Sequence, residues 1–60
     1  MKLDWERNVH YFYPRLQWRV TYHWNGYDWW AWMEEEPTKS DLTQLDQLAA
    51  DAFTYKSEAL

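Results

Sequence analysis

A small α+β domain, an antiparallel sheet carrying one C-terminal helix, is the fold class this sequence predicts. Three observations predict it. Asn25-Gly26 sits between two runs of aromatic and β-branched residues, the strongest short-range signature of a β-hairpin, because a type I′ turn needs positive φ at both central residues. After Pro37 the chain has no Gly or Pro and repeats its apolar residues at helical spacing. Between the two lies Glu34-Glu35-Glu36-Pro37, where a proline and three adjacent carboxylates end strand pairing.

The first strand comes from residues 3–13, where Leu3, Trp5, Val9, Tyr11 and Tyr13 hold odd positions and Lys2, Asp4, Glu6, Asn8 and His10 hold even ones. Arg7 and Phe12 break the alternation. The expected strand runs over 8–13, with an earlier start open. Pro14 then offers two readings. Residues 13–16 form a tight turn into a three-stranded meander, the preferred reading, or Pro14 lies on a long bent edge strand, leaving a two-stranded sheet.

With the turn at Asn25-Gly26, the period-2 rule sorts residues 15–36 onto two faces. Trp24–Tyr27, Tyr22–Trp29, Val20–Ala31 and Trp18–Met33 form an apolar face; Trp18, Tyr22, Trp24 and Trp29 there are expected core. His23–Asp28, Thr21–Trp30, Arg19–Trp32, Gln17–Glu34 and Arg15–Glu36 form a mixed face. Thr38 with Asp41 three residues later resembles a capping box, Ser40 being the rival N-cap. At about 100° per residue, Leu42, Leu45, Leu48, Ala49, Ala52, Phe53, Tyr55, Ala59 and Leu60 share an arc of roughly 160°. An 18-residue helix would span about 27 Å, enough to lie along a hairpin of about 30 Å.

Sixty residues make one domain, with 1–36 as sheet and 38–60 as helix. So short a chain normally needs a disulfide or a metal, but there is no cysteine. Six Trp, five Tyr and two Phe supply the core instead, since each such ring buries on the order of 150–250 Å². No apolar run reaches the ~20 residues of a membrane span and the first residues lack a signal-peptide pattern, so a soluble cytoplasmic protein with no membrane partner is expected. The net charge is −4, with the sheet half near neutral and the carboxylates concentrated after residue 33. That balance disfavours a polyanionic partner.

Catalysis is not expected. Candidate nucleophiles lie in no Gly-x-Ser-x-Gly setting, Ser40 is better explained by capping, and a chain with one glycine cannot build a phosphate loop. His10 and His23 lack metal-ligand spacing, and a His23–Asp28 cross-strand pair is an ordinary surface contact. No cofactor, metal or small-molecule substrate is expected. The informative residues are Trp30 and Trp32. One helix covers one sheet face, so these rings lie on the uncovered face beside Arg15, Arg19, Thr21 and His23. Trp rimmed by charge resembles a recognition patch. The bland alternative is cross-strand packing, with Arg19 on Trp32, Thr21 on Trp30, and Trp5 or Phe12 folded over the rings.

The expectation is therefore a non-catalytic protein-binding module, an inhibitor or adaptor or a homodimer, using Trp30, Trp32, Arg19, Arg15, Thr21 and His23. Single-stranded nucleic-acid binding by base stacking on the same face is the alternative. An acidic mimic of nucleic acid, of the kind encoded by phages, is a variant. Asp41, Asp46 and Asp51 step by five residues, however, and wind around the helix rather than forming one row.

Overall fold

Asn25 (φ 48°) and Gly26 (φ 82°) adopt the two left-handed conformations of a type I′ turn. They close a hairpin between β2 (Gln17–Trp24) and β3 (Tyr27–Met33) in the computed structural model, which describes residues 4–59. Leu3 and Leu60, placed above in the strand alternation and the helical arc, lie outside the described residues. The β2–β3 register runs from Trp24–Tyr27 through Tyr22–Trp29 and Thr21–Trp30 to Trp18–Met33, as the turn position requires. It stops there: the backbone bends at Glu34 and Glu35, so the extrapolated Gln17–Glu34 and Arg15–Glu36 pairs do not form. A Cβ on Gly26 would meet no atom within 4 Å, so conformation alone argues for glycine. Gly26→Val is expected to cost more than about 1 kcal/mol, because a β-branched residue strongly resists positive φ. A drop in thermal midpoint checks this.

β1 (Glu6–Phe12) adds a third antiparallel strand beside β2, in the order β1-β2-β3. The meander is the observed topology. The strand starts two residues before the expected 8–13 and ends one earlier, because Tyr13 belongs to the turn. That turn covers residues 13–16, contains a cis Tyr13–Pro14 peptide and places Leu16 at φ 57°. The Leu16 amide donates to the Phe12 carbonyl at 2.8 Å, closing it.

The helix α1 (Lys39–Ala59) starts from the Thr38/Asp41 capping box. The Asp41 amide donates to Thr38 Oγ1 at 3.1 Å, and the Thr38 amide donates to an Asp41 carboxylate oxygen at 2.9 Å. Each satisfies an otherwise orphaned donor of the first turn. Pro37 precedes the cap, where its missing N–H costs nothing.

The core joins Val20, Tyr22, Ala49 and Phe53, with Trp5, Trp24, Tyr27, Trp29, Leu42 and Leu45 packed around them. Phe53 meets the Trp24 ring at 5.8 Å, and Tyr22 sits between Trp5 at 5.3 Å and Trp29 at 5.6 Å. The rings concentrate at the Asn25-Gly26 end of the sheet. Trp18, expected beneath the helix, lies half-buried outside this cluster and packs on Tyr11 at 5.1 Å instead.

The buried stripe of the helix also differs from the apolar arc. Leu48 and Tyr55 are exposed at 54% and 73%, whereas Asp46, Ala50 and Ser57 are half-buried. On a wheel this turns the docked face by roughly 60° from the centre of the apolar arc. The physical reason is Asp46. Its carboxylate accepts from Arg7 Nη1 at 2.7 and 2.9 Å and from the Tyr22 hydroxyl, which holds the Asp46 side of the helix against the sheet at the expense of Leu48 and Tyr55.

Candidate functional site

With the helix on one side, the other face of the sheet is bare among the described residues. The Cα positions span 38 × 22 × 14 Å, and the 14 Å dimension has room for two layers and no third. Three rows of side chains cross the open face, read from the registers of the three strands. Glu6, His23 and Asp28 form the row nearest the hairpin turn; Asn8, Thr21 and Trp30 form the middle one; His10, Arg19 and Trp32 form the next. Phe12 and Gln17 close the far end.

The two tryptophans have different surroundings. Trp30 is 54% exposed. Trp32 is half-buried: Phe12 meets it edge-on at 5.2 Å and the Arg15 guanidinium lies 3.8 Å from its ring centroid. Arg15 reaches that position from the 13–16 turn, its Nε donating to Gln17. Arg19 stands over Phe12 at 4.6 Å and is more distant from Trp32, at 5.6 Å. Phe12, Arg15, Arg19 and Trp32 thus form a packed cation–aromatic cluster at one end of the face, each cation–π contact contributing about 0.5–1 kcal/mol at an exposed site. Trp30 stands alone beside it in mid-strand. His23 Nδ1 meets Asp28 Oδ1 at 2.6 Å at the opposite end, both side chains about half exposed.

Two polar atoms in this face are buried without a partner among the described residues, Arg19 Nε and Thr21 Oγ1. The aromatic contacts of Arg19 offset the first. Nothing offsets the second, so Thr21→Val, which keeps the shape and removes the hydroxyl, is expected to raise stability by about 1 kcal/mol. An upward shift of the urea midpoint checks it.

All six residues singled out from the sequence, Trp30, Trp32, Arg19, Arg15, Thr21 and His23, lie on or against this face. Phe12 belongs with them and was visible as the even-numbered aromatic that broke the β1 alternation. Arg7, the odd-numbered charge, was the matching sign of an anion above the other face, supplied by Asp46. Further exposed apolar residues are Tyr13 and Leu16 in the β1–β2 turn, Tyr11 next to it, and Val9 in the middle of β1.

Among the described residues no cluster of His, Asp or Glu could hold a metal ion, and no helix is long and apolar enough to cross a membrane. Burial raises the Tyr22 hydroxyl pKa well above that of an ordinary phenol, helped by its hydrogen bond to Asp46. This group lies in the core, away from the open face.

Fold and site together define a minimal two-layer α+β domain whose uncovered sheet face presents one exposed tryptophan beside a cation–aromatic cluster. No family model, curated protein or solved structure matches the chain.

Proposed function

We propose that the chain is a non-catalytic protein-binding module working through the open face of its sheet, with Trp30 as the anchor. One observation carries the reading: a tryptophan more than half exposed, held at the middle of the edge strand β3 on a face that no other element covers among the described residues. A strand fixes the ring at little entropic cost, and Trp and Arg are the residues most enriched where binding energy concentrates. The Phe12–Arg15–Arg19–Trp32 cluster supplies a rigid flank, and His10, His23 and Asp28 a polar rim. Its setting would be cytoplasmic, since a cysteine-free chain suits a reducing compartment.

Nucleic acid is the weaker reading. The same face carries Glu6 and Asp28 beside its cations Arg15 and Arg19, and the net charge is −4, so a phosphate backbone would be repelled as well as held. The mimic reading, which had no single acidic row to begin with, weakens further because Asp41 caps the helix and Asp46 turns inward.

The test compares the immobilised chain with Trp30→Ser, both shown to be folded by circular dichroism. The expected result is capture of protein that the variant loses and that survives ~0.5 M salt. A nucleic-acid site would instead bind a short oligothymidylate probe and release it steeply as salt rises. Tight, salt-sensitive binding of that probe would overturn the proposal.

A further inference from the structure

We infer that the partner taken by this face is a second copy of the chain, packed sheet to sheet with strands antiparallel and Trp30 of each copy at the two-fold axis. The inference rests on the reading of the open face as a binding surface, and goes further by naming the occupant. Its ground is the distribution of charge along the strands. The row nearest the hairpin turn carries Glu6 and Asp28, with His23 between them. On the other side of the Trp30 row stand His10 and Arg19, with Arg15 laid over Trp32. The glutamates after Met33 follow the bend that takes the chain out of the ladder. The face is therefore polar along its length, acidic at the hairpin end and basic at the other, with an apolar ring between.

Such a face can complement itself, and only one alignment does so. Two faces meeting about a two-fold axis require that axis to lie in the interface plane. An axis parallel to the strands would set Glu6 against the partner's Asp28, carboxylate on carboxylate. An axis perpendicular to the strands, through the Trp30 row, reverses the ends while keeping β3 over β3. It brings Asp28 over Arg15 of the second copy and Glu6 over His10, each contact occurring twice, and stacks Trp30 on its equivalent. Aligned packing of two sheets about 10 Å apart is ordinary sandwich geometry. The footprint is small: three strands about 4.8 Å apart and about 25 Å long cover a smaller area than the roughly 800 Å² per partner of a standard interface. The dimer is accordingly weak and exchanging, with a dissociation constant in the micromolar range.

Sedimentation equilibrium of the full chain from about 1 µM to about 1 mM reads this directly. The wild type is expected to pass from monomer to dimer over that range. Asp28→Arg and Arg15→Asp alone each set like charges together twice, and each is expected to weaken association about tenfold or more. An equimolar mixture of the two variants restores opposite charges at both contacts and should recover the dimer. Should Asp28→Arg lose its circular dichroism spectrum, the pair Glu6→Arg and His10→Glu replaces both variants, since Glu6 faces His10 in the same alignment and the mixture again sets opposite charges together. Charge variants that associate like the wild type, or a mixture that stays monomeric, would overturn the antiparallel dimer. A monomeric wild type that still captures a foreign protein through Trp30 would overturn the self-partner alone. A monomer with no Trp30-dependent capture would remove the wider reading too.

Discussion

Phe53→Ala is expected to leave the domain largely unfolded at room temperature. Phe53 is 2% exposed and, among the described residues, is the one large helix side chain that is fully buried, set against Trp24 and among Val20, Tyr22 and Ala49. Truncating such a ring costs about 3–5 kcal/mol in lost transfer energy and residual cavity. A single core in a chain this short supplies little more than about 3–5 kcal/mol in total, so the two quantities nearly cancel. A urea titration followed by tryptophan fluorescence checks it: no pre-transition baseline for Phe53→Ala, and a cooperative transition at lower urea for Phe53→Leu, which keeps most of the volume.

Asp46→Ala should come next in size, at about 2–3 kcal/mol, for a different reason. It removes the only acceptor among the described residues for Arg7 Nη1 and for the hydroxyl of fully buried Tyr22. A buried donor left unpaired costs about 1–3 kcal/mol. Arg7, partly exposed, recovers water and adds less. Removing the stranded hydroxyl as well, with Tyr22→Phe in the same chain, should return part of the loss, so the two changes are not additive. The same node sets a pH dependence. Burial first, and then the hydrogen bond and charge of Asp46, raise the folded pKa of Tyr22 above its unfolded value. The stability this provides is present in full below about pH 10, the ordinary phenol value, and is lost as pH rises beyond it. Unfolding midpoints measured from pH 8 to 11 should therefore fall more steeply for the wild type than for Tyr22→Phe.

The hairpin was legible because its register follows from one dipeptide. Once Asn25-Gly26 closes the turn, every pair from Trp24–Tyr27 to Trp18–Met33 is counted off, and the structure has the same pairs. The capping box was legible for a similar reason, since donor and acceptor lie three residues apart. The orientation of the helix was not. Its hydrophobic arc is a property of the helix alone, whereas the face that docks also depends on what the sheet presents. The sheet presents Arg7 and the Tyr22 hydroxyl, whose demand for an anion draws Asp46 inward and leaves Leu48 and Tyr55 in solvent. The same limit applied to Trp30 and Trp32. Alternation places both rings on one face, but only the position of Phe12 and the reach of Arg15 from its turn decide that Trp32 is covered while Trp30 is not.

Trp29 and Trp30 are consecutive, identical in type, and on opposite faces of β3. Trp29 packs into the core against Tyr22, and Trp30 stands in solvent beside Thr21. The equilibrium stabilities of Trp29→Ser and Trp30→Ser, measured side by side by urea unfolding, test the open-face account most directly. The expected loss is about 3 kcal/mol or more for Trp29→Ser and less than about 1 kcal/mol for Trp30→Ser. Equal losses would mean that Trp30 is structural, and would contradict a face held open for binding.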